Sequence, residues 1–281
     1  MWDYFFKQIT SSSSNSNSRY GSNDLENETK EEEEEDGRCV SSGVKWCQTI
    51  VGNQISLNRL EEAVLLPLKF PILFNTLGVT HTPKGVLVHG PSGTGKSEMV
   101  VSMMRYLEEN EGMFVFQITP SSSLTTISNL ESIFERACRH APSLIVIDNL
   151  EDITPSSSSS SSSPIIGCLG RWLDELTRRN ARVMIVGISL HLSSIHSSLL
   201  RNGRFSKLIP LSIPNENDRI HILSKFTSEM KIDDDLRLST LSSSLHGYSG
   251  ADLQSLCYEA GMNCIRRNGL NELMDIPIKV L

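Results

Sequence analysis

The stretch KGVLVHGPSGTGKSEMVVSMMRYLEE, residues 84–109, decides the fold of this chain. Its first part, KGVLVHG, is a short apolar run that predicts a buried β-strand over 84–90. Its last part places Met and Val residues on one helical face, which predicts a helix over 97–109. Between them, GPSGTGKS at 90–97 matches the pattern GxxxxGK followed by Ser or Thr. In this context the loop predicts backbone N–H groups that surround phosphate oxygens, and hence a nucleotide-binding α/β domain.

The residue types of this loop fit the chemistry of a nucleotide phosphate chain. Glycines let the backbone curl around the phosphates, Lys96 reaches the β and γ phosphates, and Ser97 offers a hydroxyl to Mg²⁺. The positive end of the helix dipole adds to the anion site. A chance glycine-rich turn is the alternative, and the flanking strand and helix argue against it. The predicted nucleotide ligands are Gly90, Pro91, Ser92, Gly93, Thr94, Gly95, Lys96 and Ser97.

A carboxylate supplies the expected partner of this loop. SLIVIDNL, residues 143–150, is an apolar run of the fully buried strand type, and Asp148 lies near its end. We predict that Asp148 holds Mg²⁺ through the water shell of the ion, together with Ser97. The alternative is a strand-end Asp that only caps a turn.

The rest of the chain alternates strands and helices up to Pro214 and is helical beyond it. Alternation of this kind predicts a parallel sheet with helices on both faces. We therefore expect an α/β nucleotide-binding domain over 44–213 and a small helical domain over 214–281. The predicted strands are 84–90, 113–119, 143–150, 182–188 and 207–213, and the predicted helices before Pro214 are 55–68, 97–109, 129–140 and 171–179.

Two low-complexity segments interrupt this pattern. Residues 1–43 contain SSSSNSNS and NDLENETKEEEEEDG, with few apolar residues to offset the entropy of ordering, which predicts a disordered tail. The acidic run is either a solvated tail or a docking segment. A serine run bracketed by prolines predicts an exposed flexible loop over 155–164.

Composition limits the classes of protein to which the chain can belong. It has 281 residues and a formal net charge of −7, which argues against broad binding to nucleic acid. No apolar run approaches the roughly 20 residues that span a bilayer, and the first residues lack the apolar core of a signal peptide. The six cysteines form no CxxC pair, so we expect free thiols in a reducing compartment. These features predict a protein of the cytoplasm or nucleus with no membrane span and no direct nucleic-acid partner.

Further stretches occur in the order found in one known family. They are IVGNQ at 50–54, SLIVIDNLEDI at 143–153, SLLRNGRFSKLIPLSIP at 198–214 and HGYSGADLQSLCYEAGM at 246–262. With the phosphate loop, they resemble the AAA ATPases, and within them the class of valosin-containing protein and the spermatogenesis-associated AAA proteins. The resemblance covers roughly residues 46–268, which is most of the part of the chain expected to be ordered. It implies a P-loop NTPase sheet followed by a small all-α lid domain.

The resemblance also implies a cofactor, an assembly and further binding residues. ATP with Mg²⁺ would be clasped between the two domains, with Val51 and Gly52 touching adenine through their backbone. Gly250 and Ala251 match the lid segment that packs over the nucleotide. Six modules, identical or different, would form a ring that acts on protein substrates or adaptors.

Two arginines in LLRNGRF match the arginine fingers of the family. Arg201 and Arg204 would each reach the γ-phosphate held by a neighbouring subunit. The alternative is a surface pair that only holds a loop in place.

Several positions depart from the pattern of the family. Asn149 stands where the family has the glutamate that activates water, and asparagine cannot accept a proton. A gapless count back from Arg201 places Leu190 where the family has a sensing asparagine, and leucine donates no hydrogen bond. Glu151 is a candidate for a substitute base. It would point to the same side as Asn149 only if the chain stays extended beyond the strand. Segment 119–130 lacks the aromatic residue of the pore loop.

Two functions from different classes follow. The first is an ATP-binding AAA module of a protein-remodelling assembly with weak hydrolysis, because the binding residues are retained and the catalytic positions are changed. The second is a fully active ATP-hydrolysing unfoldase. A nucleotide kinase is a third interpretation, against which LLRNGRF and the lid sequence argue. The catalytic candidates are Asp148, Asn149, Glu151, Arg201 and Arg204.

Overall fold

The computed structural model describes Trp46 and residues 50–79, 82–120, 126–154, 164–230 and 237–274. The predicted disordered tail at 1–43 lies outside the described residues, as does the predicted serine loop up to residue 163. Pro164, taken as the end of that loop, is instead the first residue of a helix, because the fixed φ of proline suits a first helical turn. No helix among the described residues is long and apolar enough to cross a membrane.

The centre of the molecule is a five-stranded sheet in which every pairing is parallel, in the order β2-β3-β4-β1-β5. This confirms the predicted fold class. The predicted last strand, 207–213, lies two to three residues too far along the chain. The strands are β1 Gly85–His89, β2 Phe114–Ile118, β3 Ser143–Ile147, β4 Val183–Ser189 and β5 Phe205–Pro210.

Helices cover both faces of the sheet. The predicted helix over 55–68 is one continuous run in which a π-helical turn at Glu61–Leu65 joins two α-helical segments. That wide turn ends two residues before Pro67, which has no N–H for a regular α-turn. The helices of this part are α1 Gln54–Leu60, α2 Leu66–Lys69, α3 Pro71–Thr76, α4 Lys96–Glu111, α5 Ile127–Arg139, α6 Leu150–Ile153 and α7 Pro164–Arg178.

Successive side chains of the strands point into two separate cores. Val86 and Val88 of β1 pack with α1, α2 and α4 on one face. Leu87 of the same strand packs with α5 and α7 on the other. Helix α4 thus leaves β1 toward one face, whereas α7, which follows β3, lies on the other. Such a switch opens a crevice at the carboxyl ends of the strands, which is where ligands bind in open α/β sheets.

The end of β3 differs from the sequence prediction. The strand was predicted over 143–150 but ends at Ile147. Asn149 then adopts a left-handed conformation, with φ 46° and ψ 57°, and α6 begins at the next residue. Asparagine is among the residues that tolerate this region. The chain therefore does not stay extended, so the condition set for Glu151 as a substitute base is not met.

Among the described residues, three helices follow the sheet: α8 Glu216–Thr227, α9 Leu238–Ser244 and α10 Gly250–Met274. Asn215 begins α8 with a capping box, in which its side chain accepts the N–H of Asp218 at 2.8 Å. The buried Arg219 ties α8 to α9, because its Nε and Nη2 donate to the Ser242 carbonyl at 3.1 and 3.0 Å. These helices share a small apolar core of their own, which includes Leu223, Leu245, Leu253 and Leu256.

Candidate nucleotide-binding site

The phosphate loop follows β1, and glycines with positive φ give it its shape: Gly90 at 151°, Gly93 at 75° and Gly95 at 91°. A Cβ on Gly90 would lie 2.1 Å from the carbonyl oxygen of Leu211, and a Cβ on Gly93 would lie 2.4 Å from Ser249 Oγ. Glycine is therefore required where the loop passes the end of β5 and where it meets the helices after the sheet.

The loop leads directly into the amino terminus of α4. Gly95 precedes this 16-residue helix in a left-handed conformation and offers no side-chain cap, so the first N–H groups remain for an anion. Lys96 is only 7% exposed, and its Nζ donates to the Pro91 carbonyl at 2.7 Å. Burial lowers the pKa of Lys96, whereas the nearby carboxylates of Glu151 and then Asp148 raise it. A phosphate group would give this buried ammonium an anionic partner.

Oxygen atoms suited to Mg²⁺ lie at the same end of the sheet. Ser97 is exposed to the cleft, and Asp148 directly follows β3, where its Oδ1 accepts the N–H of Asn149 at 3.0 Å. Hydroxyl and carboxylate oxygens are the hard ligands that Mg²⁺ prefers, usually with several retained waters. In the described part of the chain, Glu151 Oε2 is a buried acceptor without a hydrogen-bond partner. The residues present therefore fit a hydrated Mg²⁺ ion.

Asn149 after β3 and Leu190 after β4, the two positions at which the sequence departs from the family pattern, both line the cleft. The Leu190 side chain is 38% exposed. Glu151, in the first turn of α6, accepts the backbone N–H of Leu190 on its Oε1 at 3.1 Å. The Glu151 carboxylate thus joins the segment after β3 to the end of β4, while Asn149 and Leu190 line the cleft.

The cleft has a volume of about 670 Å³. Its lining combines Val51 and Gly52 before α1 with Gly250 and Ala251 at the start of α10, so the structure brings these four predicted residues to one site. The N–H of Ala251 also donates to the Gly93 carbonyl at 3.1 Å. A direct backbone contact therefore links the helical domain to the phosphate loop.

Sequence reasoning missed part of this lining. Ile222 and Phe226 lie one turn apart on α8, and Gln254 lies on α10; all three face the cleft. The spacing of Ile222 and Phe226 predicts a buried face on α8, but it does not say what that face packs against. Only the fold places Phe226 beside the nucleotide cleft.

The two candidate finger arginines have different surroundings. Arg204 forms a bidentate pair with Asp174 of α7, through Nε at 2.9 Å and Nη2 at 2.7 Å, and its Nη1 donates to the Ser198 carbonyl at 2.9 Å. Its side chain is 22% exposed. Arg201 is exposed, and within the described ranges its side chain makes no hydrogen bond or ion pair. The structure therefore leaves Arg201 available to an outside partner and holds Arg204 inside its own subunit.

Comparison with known proteins assigns a family. The model of the "ATPase family associated with various cellular activities (AAA)" matches residues 86–213, and that of the "AAA+ lid domain" matches 235–273. A protein of Plasmodium falciparum (isolate 3D7) described as a "Putative cell division cycle ATPase" is 33% identical over 223 residues, which cover 77% of this chain and 18% of that relative. This chain therefore spans less than a fifth of the relative's length. With its parallel sheet, its phosphate loop and its lid, the chain belongs to the AAA ATPase family.

Proposed function

We propose that the chain is a Mg²⁺–ATP-binding AAA module that hydrolyses ATP slowly and serves as a subunit of a homo- or hetero-hexameric ring that remodels protein complexes. One observation carries the proposal. The same cleft is lined by phosphate-loop residues 92–97 and by Asn149 and Leu190, at the two positions where hydrolysis needs other side chains.

Binding rests on the phosphate loop and the lid. The loop N–H groups and the start of α4 would hold the phosphates, with Lys96 turning from the Pro91 carbonyl to the β and γ phosphates. Mg²⁺ held by Ser97 and Asp148 would supply charge neutralisation between phosphate oxygens. The base would pack at the apolar end of the cleft, against Val51, Ile222 and Phe226.

Slow hydrolysis follows from the two altered positions. The Asn149 amide can orient a water molecule by hydrogen bonding, but it cannot take the proton of that water. A missing general base typically costs about 10²–10⁴-fold in rate. The Leu190 side chain has no donor that could form a hydrogen bond with a γ-phosphate.

The arginines support a role within a ring. Arg201 is a fixed positive charge on an exposed loop, without a partner in the described part of its own chain. Such a group can complete the phosphate site of a neighbouring subunit. A subunit that binds ATP, turns it over slowly and lends an arginine would act mainly on its neighbours.

The test combines titration calorimetry with steady-state hydrolysis on the purified chain. The wild type should bind Mg²⁺–ATP, and Lys96→Ala should bind it at least about a hundredfold more weakly, because a charge-assisted partner of the phosphates is lost. Wild-type hydrolysis should barely exceed the Lys96→Ala blank. Retained affinity in Lys96→Ala would contradict the phosphate-loop assignment. Turnover well above the blank would favour the fully active unfoldase instead.

A further inference from the structure

A second groove, on the helical domain, adjoins the nucleotide cleft at Phe226. It runs along α10 and has a volume of about 350 Å³. In the described part of the chain no charged side chain lines it, so its chemistry suits an apolar partner. Its walls include Met230, just after α8, and Tyr258, Met262 and Ile265 of α10.

A glycine in the interior of α10 keeps this groove open. Gly261 lines the groove, although glycine weakens a helix interior compared with alanine. Packing does not require it, because an added Cβ would meet Met230 Cε at 3.7 Å, an ordinary van der Waals distance. Tyr258 and Ile265, one turn to either side, are 63% and 40% exposed. The missing side chain thus leaves room for another segment to approach two exposed apolar side chains closely.

The chain itself supplies such a segment. It continues beyond the described residues with DIPIKVL, residues 275–281. Pro277 works against continuation of the helix, because the residue before a proline is disfavoured in the α conformation. In an extended chain, Ile276, Ile278 and Val280 share one face. An apolar face of this kind is stabilised by burial against other apolar surface.

This segment begins within reach of the groove. From Met274, the last residue of α10, back to Met262 the helix rises by about 18 Å at 1.5 Å per residue. Seven extended residues span up to roughly 23 Å. Another apolar segment, WDYFF at 2–6, is separated from Trp46 by a long serine-rich and acidic stretch, which lowers its effective concentration at the groove.

We infer that residues 275–281 fold back along α10 and bury their apolar face in this groove, with Val280 against Met262 and Ile265. The groove is then a docking site for the segment that directly follows the helix lining it. This docking does not depend on bound nucleotide, so it is tested without ATP.

Photo-cross-linking in the full chain tests the docking. With p-benzoylphenylalanine in place of Val280, irradiation should form cross-links within one chain to Met262 and Met230, because the excited ketone reacts with nearby C–H bonds and favours methionine. Peptide mass spectrometry locates the cross-links, and gel mobility separates those within a chain from those between chains. The same probe at Lys279 is the control. That side chain lies on the opposite face of an extended segment and should give severalfold fewer of these cross-links.

Two substitutions test whether the groove is the docking site. Gly261→Leu adds a side chain to the groove and should lower the yield of cross-links about tenfold, the effect of losing the burial of about two methylene groups. Ser255→Leu makes a similar change at an exposed position of α10 that does not line the groove, and it should leave the yield unchanged.

Ile265→Ser covers the case in which Gly261→Leu does not fold, since Ile265 is 40% exposed and its replacement spares the buried core. It should lower the yield by a similar factor. Absence of cross-links to Met262 and Met230, or equal yields from the two probe positions, would overturn the inference. Cross-links formed between two chains would identify a second copy as the occupant and overturn it as well. A yield unaffected by substitution in the groove would have the same consequence.

Discussion

The two halves of the nucleotide cleft differ in how far they keep the chemistry of their family. The phosphate loop, residues 90–97, has every side chain that phosphate binding needs, and glycines give it its shape. The facing half, formed by the ends of β3 and β4, presents Asn149 and Leu190. We therefore propose that nucleotide binding and nucleotide hydrolysis depend on separate structural elements, so that one can weaken while the other is retained.

The largest expected effect comes from Gly90 in the retained half. Gly90→Ala should lower the free energy of unfolding by about 3 kcal/mol and abolish ATP binding, because the new Cβ would lie 2.1 Å from the Leu211 carbonyl oxygen. Gly112→Ala is the control: this residue also has positive φ but has no atom within 4 Å of an added Cβ. It should cost about 1 kcal/mol and leave binding intact. Chemical denaturation and ATP calorimetry measure both. Similar losses in the two variants would contradict the close approach at Gly90.

The altered half should gain activity when its carboxylate is restored. Asn149→Glu should raise steady-state hydrolysis about tenfold, less than the full effect of a general base, because Leu190 still cannot hold the γ-phosphate. The left-handed backbone at this position adds a cost of about 1 kcal/mol in stability.

Asn180→Glu separates these two effects. Asn180 has nearly the same backbone, with φ 47°, and is exposed after α7. It should show the same loss of stability in thermal unfolding and no change in hydrolysis. If Asn149→Glu hydrolyses ATP at the wild-type rate, then Leu190 or ring assembly limits the rate of hydrolysis. Adding Leu190→Asn would then distinguish the two.

A smaller effect is expected at the base end of the cleft. Phe226→Ala should weaken binding of ATP and ADP alike by about tenfold, because an aromatic ring that packs against a base is typically worth 1–3 kcal/mol. Tyr258→Ala is the control, since Tyr258 is 63% exposed on α10 and lines the adjoining apolar groove, which shares Phe226 with the cleft, but not the cleft itself. Calorimetry with both nucleotides checks the prediction. An affinity change for ATP alone would show that Phe226 senses the γ-phosphate end and does not pack against the base.

What the sequence predicts well is local. GPSGTGKS places the loop between β1 and α4, since its glycines act through their own backbone dihedrals. Interactions between distant segments are what the sequence does not indicate. The bidentate partner of Arg204 is Asp174, 30 positions away on α7, and no periodicity in LLRNGRF indicates it. The end of β3 was misplaced for a related reason, because an apolar run does not show where a left-handed asparagine turns the chain.

Substitutions of Arg201 and Arg204 should have the smallest effects on the isolated chain. In an assembly they should distinguish the roles of the two arginines most clearly. Arg201→Gln should leave stability within about 0.5 kcal/mol of the wild type, because the side chain is exposed and makes no hydrogen bond or ion pair within the part of the chain described. Arg204→Gln should cost about 1 kcal/mol, since it breaks the pair with Asp174 and releases the Ser198 carbonyl. Denaturant titration measures both values.

In a ring mixed with a hydrolysing AAA subunit, Arg201→Gln should lower the partner's turnover by 10³-fold or more if the partner depends on this finger. Arg204→Gln should lower it by a smaller factor, through disorder of the loop that carries Arg201. Asp174→Asn tests this route, because it loosens the same loop while leaving both arginines in place, and its effect should match that of Arg204→Gln. If Arg204→Gln abolishes turnover while Asp174→Asn does not, then Arg204 leaves Asp174 in the ring and is itself a finger.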